Sequence, residues 1–387
     1  MQTISPMKSQ AKSKMIYLDQ AATSFPKPKE VIVGVVRCLE RCGNSGRGGH
    51  KASLESAKEI YDCRCAICDF FHYQAPENVI FTYNATYALN TVICALYKEG
   101  SHVLISDLEH NAVYRPVLAL ASEGKITYSV FSHKGNVIEN IRAQIRDNTD
   151  MLICTQSSNV TGFAMPLKEI GELSKSKKIK LIIDASQGAG HIETNLTSQY
   201  FTAYCAPAHK ALYGIQGCGF AIINQNGELM REFIRGGTGS DPFSATMPAE
   251  IPEHFEAGTL ATPCICGLRH GIEYLQKHKD ELDYTHYLAK RLEEILQENA
   301  NIHIVSEKGN KSFIISFTCP EQDELSQALA DKNICIRGGF HCAPLAHTSI
   351  GTQETGCIRA SLGLFTSKKD IETFGHFVSQ WVNGSYR

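Results

Sequence analysis

From about Val31 onward, short apolar runs alternate with stretches whose apolar positions recur at helical spacing. Residues 78–82, 102–106, 151–155, 180–184, 201–205 and 219–223 read as buried strands, each bounded by polar, Gly or Pro punctuation. Helix-length amphipathic segments such as 88–97 and 166–176 lie between several of them. That rhythm predicts an α/β domain around a mostly parallel sheet. After Pro263 the pattern changes to a long charged helix over 268–299, a strand over 312–317 and a closing helix over 367–382. These predict a smaller α+β C-terminal domain. The expected division is a large domain over 27–262 and a small one over 263–387, with the segment 1–26 packing beside the small domain.

Composition narrows the partners. Among 387 residues, 38 Lys plus Arg stand against 40 Asp plus Glu, for a formal net charge of −2. No basic field points to nucleic acid, and a small polar substrate is the natural ligand. No stretch reaches the ~20 apolar residues of a membrane span, and residues 1–14 are polar and lysine-bearing, unlike a secretory signal. Fifteen cysteines, an odd number, suit reduced thiols in the cytoplasm better than a disulfide framework. Most are expected to be small core residues. The cluster Cys63, Cys65 and Cys68 falls in a helical pattern without a matching second pair, so no metal site is expected.

In an open parallel sheet, functional groups gather beyond the carboxyl ends of the strands. Asn84, Ala85 and Thr86 follow one predicted strand, His110 another and Asn159 a third, and Asp184 ends a fourth. Backbone amides at the helix start after Asn84, with the Thr86 hydroxyl, suit an anionic group, although Asn and Thr are also ordinary N-caps. Lys210 follows His209 in a Pro–Ala–His–Lys run. A lysine amine can hold an aldehyde as a Schiff base, and a carboxylate can keep a pyridine nitrogen protonated. Lys210 and Asp184 therefore read as the two poles of a pyridoxal phosphate site.

Seven segments carry a resemblance that spans nearly the whole chain: Tyr17 to Thr23, Glu109-His110, Ser158-Asn159-Val160, Asp184 to Gln187, His209-Lys210, Phe255 to Thr259 and Arg359 to Leu362. Together they resemble the cysteine desulfurase branch of the class V aminotransferases. The resemblance implies a fold-type I enzyme: a large domain with a mostly parallel seven-stranded sheet, a smaller C-terminal domain, and a homodimer with shared active sites. It implies Lys210 as the Schiff base, Asp184 at the pyridine nitrogen, Gln187 and Asn159 near the phenolic oxygen, and His110 over the ring. Thr86, Ala85 and His209 would hold the phosphate, with Thr259 reaching it from the partner subunit. Arg359 would clamp the substrate carboxylate, joined in substrate binding by Asn159 and His50.

The loop from Arg337 to Pro344 matches the one on which group II cysteine desulfurases carry their catalytic cysteine, here Cys342. A thiolate is what sulfur transfer requires, and His341 or His347 could favour it. The implied reaction converts L-cysteine to L-alanine, leaves a persulfide on Cys342 and passes the sulfur to an acceptor thiol, for which an acceptor protein is possible. Three departures stand out: Asn84-Ala85-Thr86 in place of Gly-Thr-Thr, Pro207-Ala208 in place of Ser-Gly, and Phe340 in place of the first histidine before the cysteine. They leave a selenocysteine lyase, or an aminotransferase, epimerase or kynureninase-like reaction, as alternatives on the same scaffold.

Overall fold

Strands form where the apolar runs lie, because residues buried on both faces of a parallel sheet must be nearly all apolar. The computed structural model describes residues 15–46, 48–224, 231–239, 243–307 and 312–385; the N-terminal residues 1–14, part of the expected packing segment, lie outside them. Seven strands, β1 Val79–Thr82, β2 Ser101–Ser106, β3 Ile126–Phe131, β4 Thr149–Thr155, β5 Lys180–Asp184, β6 Ala203–Pro207 and β7 Gly219–Ile223, form one sheet in the order β1-β7-β6-β5-β4-β2-β3. β7 runs antiparallel to both neighbours, and the remaining pairings are parallel. β3 is the strand that the apolar pattern does not reveal. It lies at a sheet margin with one partner and keeps a half-exposed Thr-Tyr-Ser-Val stretch.

The predicted helix over 268–299 is two helices, Thr262–Lys277 and Lys279–Gln297, parted at His278. His278 leaves helical geometry at φ −123° and stacks on Tyr274 with ring centroids 3.9 Å apart. The charge pattern runs on through this break, so nothing in the sequence marks it. The first helix buries Ile265, Leu268, Ile272 and Leu275 in the core of the large sheet. The expected boundary at 262/263 thus falls at the start of a helix that packs with the large domain.

The small domain carries a four-stranded antiparallel sheet: β8 His303–Ile304, β9 Ile314–Thr318, β10 Arg337–Gly339 and β11 Cys357–Ser361, in the order β10-β11-β9-β8. Leu288, Leu292 and Leu296 of the helix Lys279–Gln297 meet Phe317, Phe374 and Val378 in a separate core. The helix Lys368–Val382 opens on a reciprocal cap, Ser367 Oγ accepting from Asp370 N and the Asp370 carboxylate accepting from Ser367 N. The N-terminal segment does more than lie beside this domain. Ile16 and Tyr17 pair in parallel with Ile334 and Cys335, Asp19 bridges to Ser361, and Ser24 then donates its amide to the His209 carbonyl of the large domain at 2.9 Å.

Candidate active site

The carboxyl ends of β1, β2, β4, β5 and β6 open onto one cleft. Its walls include Ala85, Thr86, His110, Asn159, Asp184, Gln187, His209 and Lys210. Asn84 caps the helix Ala85–Leu96, its Oδ1 accepting from Tyr87 N at 3.0 Å, which is the capping reading of this turn. Thr86 stands exposed at the second helical position. His110 caps the next helix, Asn111–Ser122, with Nδ1 accepting from Ala112 N at 3.0 Å, which puts the ring proton of the neutral form on Nε2. Burial, with Lys210 acting in the same direction, pushes its pKa down to about 4, and the ring is neutral at physiological pH.

Lys210 is the cleft's candidate nucleophile. Burial pushes its pKa down to about 8, Arg359 and Arg337 act in the same direction, and Asp184 opposes them. A neutral amine, which bonds to carbonyl carbon, is therefore present at a substantial fraction near pH 8. Asp184 ends β5, and its Oδ1 accepts from Ser186 N at 2.9 Å. The loop before Lys210 is held from outside, the His209 carbonyl accepting from Ser24 N, Ser24 Oγ, Thr23 Oγ1 and Lys27 Nζ. His209 Nδ1 lies 3.1 Å from Thr23 Oγ1. Gln187 donates through Nε2 to the Ala21 carbonyl at 3.0 Å, which fixes its amide on the cleft wall.

The small domain brings the backbone of Cys342 against the helix that follows His110, next to the cleft. Its carbonyl accepts from Asn111 N at 2.8 Å, one residue beyond His110, and its side chain is exposed. Asn159 Nδ2 donates to the His341 carbonyl at 2.7 Å, and the Asn159 carbonyl accepts from Arg359 Nη1 at 3.0 Å. Arg359 is 2 % exposed, pairs with Asp19 Oδ1 at 3.0 Å and leaves Nε without a partner. His341 and Cys342 both adopt left-handed backbone, φ +49° and +56°, the kind of strain that collects at functional turns. The two histidines expected to serve the thiol are turned inward: His341 Nε2 lies 3.5 Å from Cys357 Sγ, and His347 Nδ1 lies 2.7 Å from Thr352 Oγ1.

Four expected residues are not among those that line the Lys210 cleft: Cys342 and Arg359, tied to its wall through Asn111 and Asn159, and His50 and Thr259, which lie elsewhere. His50 caps the helix Lys51–Phe70, its Nδ1 accepting from Ser53 N at 3.3 Å, and does not line the Lys210 cleft. Thr259 is exposed beside a second concavity lined by Tyr83, Tyr87, Phe233 and Leu260.

The residues that line the cleft fit pyridoxal phosphate: an amine for the aldehyde, a carboxylate for the ring nitrogen, and helix-start amides with Thr86 for the phosphate. The aminotransferase class V family model matches residues 16–374. The chain belongs to this family. A probable cysteine desulfurase of Methanothermobacter thermautotrophicus is 27 % identical over 94 % of each chain. The apo structure of a cysteine desulfurase from Thermococcus onnurineus superposes with a TM-score of 0.87 at 26 % identity, covering 96 % of this chain and 95 % of that one. The S-sulfonic acid form of an Escherichia coli cysteine desulfurase shares the fold, with a TM-score of 0.85 at 22 % identity over 95 % of each chain.

Within this class V chain, four residues that brace the cleft or its approaches carried no role in the sequence reading. Asp19 holds Arg359. Glu109 is fully buried and accepts from the Ser106 hydroxyl and from Thr155 N (2.8 Å), joining the ends of β2 and β4 where His110 begins. Burial raises its pKa to about 8. Glu256 anchors the segment that leads to Thr259, pairing with Arg64 at 2.7 Å and accepting from Phe81 N at 2.7 Å. Arg337 lies opposite Arg359 in the β10–β11 register and adds positive charge near Lys210. Asp19, Glu109 and Glu256 stand in the recognised segments, and Arg337 opens the Cys342 loop, so position was available even where role was not.

Proposed function

We propose that this chain is a pyridoxal phosphate-dependent cysteine desulfurase that takes the sulfur of L-cysteine onto Cys342 and releases L-alanine. The observation that carries the reading is the backbone contact between Cys342 and Asn111, which joins the nucleophile's loop to the wall formed by His110, Asp184 and Lys210. The names of relatives along the whole chain support the substrate.

When bound, the cofactor supplies an electron sink for charge developed at the substrate Cα. Lys210 Nζ would hold its aldehyde until substrate arrives, then serve as the base that takes the Cα proton. Asp184 would keep the ring nitrogen protonated, and neutral His110 would cover the ring without adding charge. Arg359, preset by Asp19 and the Asn159 carbonyl, would receive the substrate carboxylate. The Cys342 thiolate attacks the substrate sulfur; a sulfur–sulfur bond forms as carbon–sulfur breaks, and the electron pair left on carbon takes up a proton to become the methyl group of alanine. A second thiol, free or on an acceptor protein, then removes the sulfur.

A homodimer accords with the position of Thr259, which lies away from its own cleft on a surface where Tyr83, Tyr87 and Phe233 are 54 %, 39 % and 43 % exposed. The fifteen cysteines are all free, which supports a reducing compartment such as the cytoplasm.

Selenocysteine is a second reading, favoured by Phe340, half-exposed where the resemblance has an imidazole beside the nucleophile. Alanine release from both amino acids by the native enzyme and by Cys342→Ala separates the two. Loss of at least ~10²-fold of the cysteine rate in the variant supports desulfuration through Cys342. Full cysteine activity without that thiol overturns it, and activity on selenocysteine alone assigns the lyase.

A further inference from the structure

Behind the Cys342 loop lies a side-chain group that the proposed chemistry does not use. His341, His347 and Cys357 are 5 %, 1 % and 0 % exposed. One donor atom from each lies within 4.8 Å of the others. Three local structures deliver them: the turn after β10, the helix Pro344–Ile350 and the first residue of β11. Gly339 pairs with Cys357 in the sheet, so strand register carries the turn back over the thiol.

Hydrogen bonding leaves atoms over. His347 Nδ1 bonds Thr352 Oγ1 at 2.7 Å, and its Nε2 is buried without a partner. His341 Nε2 lies 3.2 Å from the Cys357 carbonyl oxygen and 3.5 Å from Cys357 Sγ, and its Nδ1 is buried without a partner. Two orphaned imidazole nitrogens next to a buried thiol call for an explanation, since buried polar atoms are nearly always satisfied. A cation beside Cys357 Sγ would satisfy the His347 nitrogen, and on His341 it would take Nε2, the nitrogen nearest the sulfur, in place of its contact with the Cys357 carbonyl. Zinc–sulfur and zinc–nitrogen bonds of about 2.3 and 2.05 Å place the donors about 3.5 Å apart in a tetrahedron; the His341 Nε2 to Cys357 Sγ separation of 3.5 Å meets that edge, and the group as a whole, within 4.8 Å, closes onto it when the ion binds. The Thr352 bond orients the His347 ring as outer partners of metal-bound imidazoles do. With no carboxylate in the group, magnesium and calcium are poor fits, and a borderline-soft metal is a good one.

We propose that His341, His347 and Cys357 form a site for one zinc-class divalent cation, with three protein donors and one further position, which pins the loop that carries Cys342. Binding exchanges the Cys357 sulfur–hydrogen bond for a sulfur–metal bond and releases one proton to solvent, with no change of oxidation state. The mechanical consequence follows from the chain path. His341 precedes Cys342 in the left-handed pair, and its carbonyl already accepts from Asn159 Nδ2 at 2.7 Å. A metal on the imidazole would hold the same residue from its other end. No such site was legible in the sequence, because the ligands follow none of the spaced Cys/His pairs by which zinc sites are recognised.

The test is titration of the chelator-treated holoenzyme with Co2+, whose tetrahedral thiolate complexes absorb at wavelengths longer than the cofactor's. One equivalent per chain is expected, with tetrahedral bands that Zn2+ abolishes and that persist in Cys342→Ser. Cys357→Ser and His347→Gln should each weaken binding tenfold or more (~10–100-fold). X-ray absorption of the zinc-loaded native enzyme, which needs no variant to fold, should find one sulfur neighbour at ~2.3 Å among nitrogen or oxygen neighbours at ~2.05 Å. Absence of stoichiometric uptake, six-coordinate spectra, no sulfur neighbour, or unchanged binding in both variants would overturn the site and leave an ordinary buried histidine pair. Loss of the bands in Cys342→Ser would overturn it equally, by moving the ligand to the nucleophile.

Discussion

Lys210 shows how far a single side chain can be displaced from its ordinary chemistry. Its pKa falls from the usual lysine value to about 8, burial being the leading cause and Asp184 the counterweight. The rate at which cofactor-free enzyme captures pyridoxal phosphate should therefore rise with pH through a midpoint near 8, followed by growth of the bound chromophore. Asp184→Asn should move that midpoint lower, because it removes the charge that favours the ammonium; a midpoint near 10, or one that rises in the variant, would contradict the assignment. Asp19 acts at the same scale through Arg359, which it pairs at 3.0 Å. Asp19→Ala should raise the KM for substrate by roughly tenfold with a smaller change in kcat, since the half-buried carboxylate that holds the Arg359 guanidinium in place is lost. At this scale the sequence was informative where chemistry is rare. Lysine after histidine and aspartate at a strand end announce themselves. His341 and His347 did not disclose their inward orientation, because that depends on how the turn meets β11.

Elements place these residues, and their ends matter more than their middles. Glu256 links the helix Lys51–Phe70, through Arg64, to β1, through Phe81 N, and the pair is buried on both sides. Glu256→Ala should lower unfolding stability by ~3–5 kcal/mol, as expected when one partner of a buried ion pair is left alone, measured as a shift of the denaturant midpoint. A loss under about 1 kcal/mol would show that the pair is dispensable. The apolar runs foretold six of the seven strands of the large sheet because both faces are covered. β3 stayed hidden because it is an edge strand with half-exposed positions. The break at His278 was equally invisible, since ring stacking on Tyr274 and a change of backbone, not a glycine or proline, divide the two helices.

The molecule as a whole assembles its cleft from parts that are far apart in sequence, and the N-terminal segment ties them together. Residues 16–24 pair with Ile334, Cys335 and Ser361 of the small domain at one end and hold the loop before Lys210 at the other. The family resemblance spanned the chain and so gave the two-domain plan, but the bridging path of this segment appears only in three dimensions. If Thr259 serves a second copy, the enzyme should run as a dimer in sedimentation, and a charge introduced by Tyr87→Glu should dissociate it with loss of activity; an active monomer would contradict shared sites. The central claim, that Lys210 and Cys342 act on one substrate in one cleft, is tested most directly by a single sample followed through turnover with L-cysteine. The visible spectrum, the alanine formed and the mass of the peptide that carries Cys342 are recorded together. The account predicts that the chromophore shifts, alanine accumulates without any keto acid, and Cys342 gains one sulfur atom before an acceptor thiol is added. Alanine formation with Cys342 unmodified, or a sulfur found on another cysteine, would contradict it.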